Sequence, residues 1–441
     1  MDLEKYFRPL FAAGLLLGLL LSGLYAQHQI VGADQWQMIN KGYLGALNHV
    51  WLSYGNVASA MGNVPGSLSA YLVGLPLKVW YSPYSPMLLL IALRLVGYLL
   101  FDQVIKQIGG ARMRLLFMVI CWLNPWFLYE SLLYNPSYLF FFAALHCWSA
   151  FKMRTHSSAG YTFLHLLAIG MAMQLHYSWP LLCIISAYLF YRRQLRVNLW
   201  GVLFAALVIG LSLVPYLQET LANQSITREA NPDAQARYIG WGLVHVYPLF
   251  KPVIYWLRYA SWIFTNKLIT GAQFPWLESV AWLQLGVTYL WRTLAYGIGA
   301  LSMLLVLRAN YYLWQQVKPI FWRGTAEQAI TPSQWLTLYS VAGLLASLVC
   351  AALAPIIFSF WHLMLIFPCA LLPLLLFIRH WAKGREPQFA RYLLWAACYC
   401  LVINLQAAND SRKYSYQVSY PAQVERYVAE QQQSGRWLPH E

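Results

Sequence analysis

The chain has 441 residues, 60% of them hydrophobic, 17% aromatic and only 10% charged, with a formal net charge of +15 from 30 Lys and Arg against 15 Asp and Glu. An ordinary globular domain carries about 25% charged residues, so this inventory excludes a conventional water-facing surface. The basic residues cluster between apolar runs, which is how membrane topology is encoded; this argues against nucleic acid as a partner and for membrane lipids.

Strand-type alternation is missing and the apolar runs are continuous, so the spans are helices rather than barrel strands. The first run, Leu10 to Ala26, follows Lys5 and Arg8 and lacks a clear small-x-small cleavage site, so it is expected to stay as a helix. A long loop follows, with an amphipathic stretch from Ser67 to Tyr81 that Pro76 and Lys78 suit to the membrane surface. Further spans are expected at Met87–Ile105, Leu115–Tyr129, Tyr138–Phe151, Tyr161–Leu175, Leu181–Tyr191 and Leu199–Pro215.

After Tyr216 comes a mixed segment that turns aromatic from Trp241 to Phe274, as expected of helices at the headgroup level capping a cavity. Spans at Leu283–Leu307, Leu336–Leu353, Ile356–Ile378 and Tyr392–Gln406 bring the total to about eleven. Arg and Lys gather in alternate connections, at Lys106 to Arg114, Lys152 to Arg154, Arg192 to Arg196, Arg308 to Arg323 and Arg379 to Arg391. These read as cytoplasmic, which places the N-terminus inside, the loops 27–86 and 216–281 outside and the C-terminus outside. The fold class is thus an all-α integral membrane protein, with a transmembrane unit over 1–408, external interfacial helices, and an external polar tail over 409–441.

All seven cysteines lie inside apolar runs and read as small hydrophobes; Cys398-Tyr-Cys400 has the wrong spacing for a redox or zinc pair. Phosphate-binding glycine loops are absent, as is an Asp-x-Asp pair that would hold a metal on a diphosphate. A lipid donor with a single phosphate could be served by basic side chains, with a divalent metal left open.

Asp34, in Gly32-Ala33-Asp34-Gln35-Trp36, and Glu130, at the mouth of the third span, are the external carboxylates of the first half-dozen spans. An enzyme passing a sugar to a hydroxyl or amine needs such a group to accept or orient a proton, although any polar loop can contain an Asp. Departure of a phosphate needs cations or donors, for which Lys41, Lys78, Arg94, His176, Arg258, Lys267, Arg292 and His362 are the candidates. Arg94 and His362 are the more informative because ionisable groups in apolar runs are expensive unless paired or near water, with snorkelling as the plain alternative. His146 and His165 lie within spans and read as core histidines.

The order of several short motifs resembles the integral-membrane glycosyltransferases of the GT-C superfamily that use polyprenyl-phosphate sugars, such as lipid A aminoarabinose transferases and protein O-mannosyltransferases. The resembling stretches are Gly32-Ala33-Asp34-Gln35, Asn63-Val64-Pro65-Gly66-Ser67, Arg94-Leu95, Leu133-Tyr134-Asn135-Pro136, Gln174-Leu175-His176-Tyr177 and Phe360-Trp361-His362 with Pro368. The resemblance implies a GT-C-type bundle and an inverting transfer with Asp34 as catalytic carboxylate. It implies a polyprenyl-phosphate sugar donor, a glycan, glycolipid or protein acceptor, and a periplasmic active site on a bacterial inner membrane. Asn135 stands where some members carry a second acidic residue, with Glu130 as the alternative, and His176 stands where others carry a Lys.

Two other readings stay open on sequence. A lipid or saccharide transporter or flippase would explain many helices and intramembrane charges, and would place its unusual polar groups at mid-membrane. An oligosaccharide polymerase or ligase would lean on Arg228, Arg237 and His245 in the late loop.

Overall fold

The computed structural model describes residues 3–58, 62–223, 246–262, 274–321, 330–354, 356–435 and 437. The described residues form an all-α bundle, with strands only in two short antiparallel hairpins. Seven of their helical segments are long and apolar enough to cross a membrane: Phe7–His28, Tyr84–Tyr129, Leu199–Ala222, Ala281–Phe321, Pro332–Leu353, Phe360–Trp381 and Glu386–Asn409. The sequence suggests about eleven spans; several of those stretches fall on shorter helices, and Tyr84–Tyr129 carries two of them.

Helix α1 (Phe7–His28) leads into α2 (Ala33–Asn48), strands β1 (Tyr54–Ala58) and β2 (Gly62–Pro65), and α3 (Leu68–Val79). The first long connection is therefore a folded unit, with Asp34 in the first turn of a helix. Helix α3 packs on α2 through Val73 and Gly74. Trp80 and Tyr81 at its end are exposed, in keeping with a position at the membrane surface.

Helix α4 (Tyr84–Phe117) breaks at Gly109 and Gly110 and returns on itself through a π-turn (Met118–Trp122) and α5 (Pro125–Tyr129). Gly110 sits at φ 61°, ψ −152°, a region essentially closed to residues with a Cβ. Gly110→Ala is therefore expected to lower stability by about 1–3 kcal/mol, read as a fall in the thermal unfolding midpoint of the purified protein. Near the bend, Arg114 donates from Nε to both carboxylate oxygens of Asp102 at 2.9 Å. At the open end, Arg94 donates to the carbonyls of Glu130, at 2.8 Å, and Phe127, and lies 3.8 Å over the Phe127 ring. Arg94 thus closes the hairpin with both contacts to backbone oxygen.

Helices α6 (Asn135–Met153), α7 (Ala159–Met173), α8 (Pro180–Tyr191) and α9 (Leu199–Ala222) run back and forth beside this hairpin. Prolines in the first turns of α6 and α8 set their starts, where a missing N–H is harmless. On α9 only Gly201 and Ala205 are buried, while Leu203, Phe204, Leu207 and Leu211 are exposed, as suits a lipid-facing span. Midway along α6 and α7, His146 and His165 stack at 4.1 Å and both meet the Ser186 hydroxyl, at 2.8 and 2.9 Å. His146 also meets Tyr339 at 3.0 Å. The pair is a satisfied core knot.

Helix α10 (Val246–Ala260) departs from expectation. One face of it is core: Trp256 and Tyr259 are buried, and α10 packs on α12 (Pro332–Leu353) and α13 (Phe367–Trp381). Trp256 Nε1 donates to Asn310 in α11 (Ala281–Phe321) at 2.8 Å, and the Tyr259 carbonyl accepts from Asn124 at 2.9 Å. The aromatic run is core as well as interface. Lys267 and most of the mixed segment after Tyr216 lie outside the described residues.

A short 3-10 turn (Phe360–Ile366) opens into α13, and α14 (Glu386–Asn409) runs parallel to α1. Arg112 joins their starts by meeting Glu4 at 3.5 Å and Glu386 at 2.8 Å, and Tyr25 donates to Asn404 at 3.0 Å near their far ends. The C-terminal segment does not hang free. Strands β3 (Asp410–Ser411) and β4 (Tyr414–Ser415) and helix α15 (Tyr420–Ser434) fold back over the α1–α2 junction, with Tyr414, Tyr420 and Val424 buried. Ile30 N donates to the Lys413 carbonyl at 2.9 Å, and Trp36 stacks on Tyr427 at 4.1 Å.

Candidate active site

At the end of the bundle away from Arg112, a cavity of about 520 Å³ is bounded by α2, β1, α6, α8 and the segment entering α13. Asp34, Asn135, His176 and His362 all line it. Residues scattered over more than three hundred positions are brought together because each sits where an apolar helix meets this end. The remaining wall is largely apolar, with Ile184, Cys350, Leu353, Ile356 and Phe358.

Helix α2 starts one residue before Asp34, α6 starts at Asn135, α8 starts at Pro180, and the 3-10 turn entering α13 starts two residues before His362. All four starts contribute wall residues. Pro136 and Pro180 carry no N–H, and Ser137, Leu181, Leu182 and His362 donate to the preceding turn, so what these starts bring to the cavity is the positive end of each backbone dipole, which favours an anion there.

The two histidines are held in one tautomer. The Ser359 backbone N–H donates to His362 Nδ1 at 2.8 Å, and the Ser178 backbone N–H donates to His176 Nδ1 at 3.1 Å. With Nδ1 accepting in both, the ring proton belongs on Nε2, and each imidazole is a neutral donor. The rings lie 5.4 Å apart. Burial, reinforced by the neighbouring His362, pushes the His176 pKa down to about 3. It is therefore neutral across neutral pH, whereas a Lys, which the resemblance allows at this position beside His, would be a cation.

Asp34 opens onto the cavity, and surrounding protein raises its carboxyl pKa, opposed by the charge of Lys413. Its backbone carbonyl accepts from Asn56 Nδ2 at 2.9 Å. Asn135 Nδ2 donates to the Leu175 carbonyl at 2.8 Å. The other side of each amide is unmatched: Oδ1 of Asn56 and Oδ1 of Asn135 are buried with no partner among the described residues. An unmatched buried acceptor costs about 1–3 kcal/mol, and both of these belong to residues that border the cavity.

Behind the wall lies the Glu130 carboxylate, fully buried and paired with Lys413 Nζ at 2.8 Å. Tyr134, which does face the cavity, donates its hydroxyl to the other Glu130 oxygen. The Lys413 ammonium is also ringed by Tyr129, Tyr134 and Phe360 at 5.2, 5.5 and 5.2 Å. Glu130 thus serves as the buried anchor of a cation rather than as a wall residue. Sequence reasoning missed Lys413 and Asn56. The signal for Lys413 was available: Arg412-Lys413 is a basic pair just past the last span, on the side where the charge bias leaves few cations.

Other expected ligands fall elsewhere. Lys41 is buried in α2, donates to the Gly55 carbonyl and lies 5.1 Å over the Tyr54 ring, outside the cavity wall. Burial pushes its pKa down to about 7, which is the cost of taking the ammonium out of water, and its bond to the Gly55 carbonyl tethers α2 to β1. Arg94 is occupied by the hairpin carbonyls. Arg258 lies on α10 over Tyr255, and Lys78 meets His49 at 3.2 Å; neither lines the cavity. Among the described residues no three His, Cys, Asp or Glu side chains stand together to hold a metal ion.

Fold and site together define an all-α integral membrane protein with a cavity at one end of its helices where Asp34, Asn135, His176 and His362 meet. Of solved structures, the chain is similar to ArnT from Cupriavidus metallidurans bound to undecaprenyl phosphate, with 10% identity, a TM-score of 0.49, and coverage of 92% of this chain and 74% of that one. It is also similar to the archaeal oligosaccharyltransferase AglB from Archaeoglobus fulgidus, in complex with an inhibitory peptide and a dolichol-phosphate. There the identity is 11% and the TM-score 0.47, over 95% of this chain and 57% of that one. The chain thus spans little more than half the length of the archaeal enzyme. No family model and no curated protein matches the sequence.

Proposed function

We propose that this protein is a membrane glycosyltransferase that moves a sugar from a polyprenyl-phosphate donor to a hydroxyl or amine acceptor, with inversion, in the Asp34 cavity. The observation that carries the reading is the meeting of four helix starts and two Nε2–H imidazoles with a single carboxylate. The imidazole N–H groups and helix dipoles suit a phosphate, Asp34 suits the proton of an acceptor, and the apolar wall suits a prenyl chain. In the reaction the acceptor oxygen or nitrogen attacks the anomeric carbon and yields its proton to Asp34. The bond from that carbon to the phosphate oxygen breaks, and the electron pair leaves with the polyprenyl phosphate. The histidines and helix starts hold the growing negative charge.

The sided distribution of basic residues supports an outward-facing cavity. Lys106, Arg112, Lys152, Arg192 and Arg193 lie at the turns away from Asp34, which the charge bias assigns to the cytoplasm. Acceptors on that outer face are a glycolipid such as lipid A, a growing glycan or a protein.

The test is transfer by the reconstituted protein from a mixed pool of polyprenyl-phosphate sugars, with released polyprenyl phosphate and glycosylated acceptor counted together. Stoichiometric appearance of both supports the reading. Movement of labelled lipid across the bilayer with neither product overturns it in favour of transport. The pH profile adds a signature. Because burial raises the Asp34 pKa, the rate is expected to fall as pH drops, with a midpoint above the ordinary carboxylate value of about 3.9. His176→Ala removes a donor and should lower the rate about a hundredfold. It should leave the profile between pH 5 and 8 unchanged, since the imidazole is already neutral there.

A further inference from the structure

A second large cavity, of about 810 Å³, lies between α4, α11, α13 and α14, toward the Arg112 end of the bundle. Its body is apolar, walled by residues such as Ile120, Leu305, Phe377 and Ala396. Its mouth is framed by Trp395, which is 61% exposed, and Tyr392. Two guanidiniums, from Arg308 on α11 and Arg385 just before α14, line it as well. Both residues are exposed, and neither forms an ion pair with a carboxylate among the described residues. Arg308 lies 5.8 Å over Phe377 and Arg385 5.4 Å over Trp381, so ring faces position both cations beside the groove.

An apolar trough with unpaired cations and interfacial aromatics at its end is complementary to a lipid whose headgroup is an anion. Both arginines stand where apolar helices meet the basic connections, Arg385 donates to the Trp381 carbonyl at 3.2 Å, and no carboxylate among the described residues answers either charge. We propose that this groove holds one anionic phospholipid from the leaflet opposite the Asp34 cavity, its acyl chains along Leu305 and Ala396 and its phosphate between Arg308 and Arg385. The groove stands at the other end of the bundle from the Asp34 cavity, so this site does not depend on the proposed transfer reaction.

Native mass spectrometry of the full chain in detergent tests it, with phosphatidylglycerol and phosphatidylcholine of identical acyl chains added in equal amounts. One phosphatidylglycerol should be retained under activation that strips phosphatidylcholine. R308Q/R385Q should lower its occupancy roughly tenfold to thirtyfold, and R308K/R385K should keep most of it. A396F, which fills the trough without touching charge, should also displace the lipid and serves if the double Gln variant does not fold. Equal retention of the two lipids, or full phosphatidylglycerol occupancy in R308Q/R385Q or A396F, overturns the proposal. So does a dimer cross-linked efficiently through W395C, which would make a second copy the occupant.

Discussion

Asp34→Asn is expected to abolish transfer to within about one part in 10³–10⁴ of the wild-type rate, the contribution typical of a positioned general base at the upper end of its range. The substitution keeps shape and hydrogen-bonding length but cannot accept the acceptor's proton. Stability should move the other way. The Asp34 pKa is raised in the folded state, so the fold disfavours its ionised form. That penalty is absent below the unfolded-state pKa of about 3.9 and grows above it, until the folded pKa is passed. A neutral Asn escapes it, so the variant should unfold at the same or a higher temperature than wild type at pH 7 and at an unchanged temperature at pH 3. Lost activity with unharmed stability separates a chemical role from a structural one, whereas full transfer by a folded Asp34→Asn protein would remove Asp34 from the mechanism.

The cavity was legible in the sequence where a polar residue closes an apolar run. Asp34, Asn135, His176 and His362 each stand at such a junction, and helices of similar length bring junctions on one side to one level. The hairpin at Gly109 and Gly110 was legible for the same reason, as a basic break between two apolar runs. What failed was telling which way an ionisable side chain faces. Arg94 and Lys41 lie in apolar surroundings whether they meet a ligand or a carbonyl, and only tertiary contact decides. Arg258 lies outside the cavity wall on a helix whose Trp256 and Tyr259 are buried, since Trp and Tyr mark interfaces and also pack cores. The tail was read from its polar composition, which α15 shares with any amphipathic helix whose buried face is only Tyr420, Val424 and Val428. Hidden in it was the cation that neutralises Glu130.

Lys413→Met should be the most destabilising single change at this end of the molecule. It strips the ammonium from a Glu130 carboxylate that no solvent reaches, leaving Tyr134 as its remaining side-chain donor. Breaking one side of a buried pair costs about 3–5 kcal/mol, because the surviving charge is left uncompensated. Glu130→Gln alone should be milder, since Lys413 is partly exposed and can rehydrate. The double variant Glu130→Gln/Lys413→Met should recover most of the loss, with a coupling of roughly 2–3 kcal/mol in a double-mutant cycle followed by thermal or denaturant unfolding. Additive effects would mean that the pair is not formed. The same cation lowers the Asp34 pKa, so where Lys413→Met remains folded its acid limb of activity should shift to higher pH than wild type. A stability loss without that shift would confine Lys413 to the Glu130 pair; both together would make the C-terminal segment part of the active site, setting the charge state of a carboxylate nearly four hundred residues upstream.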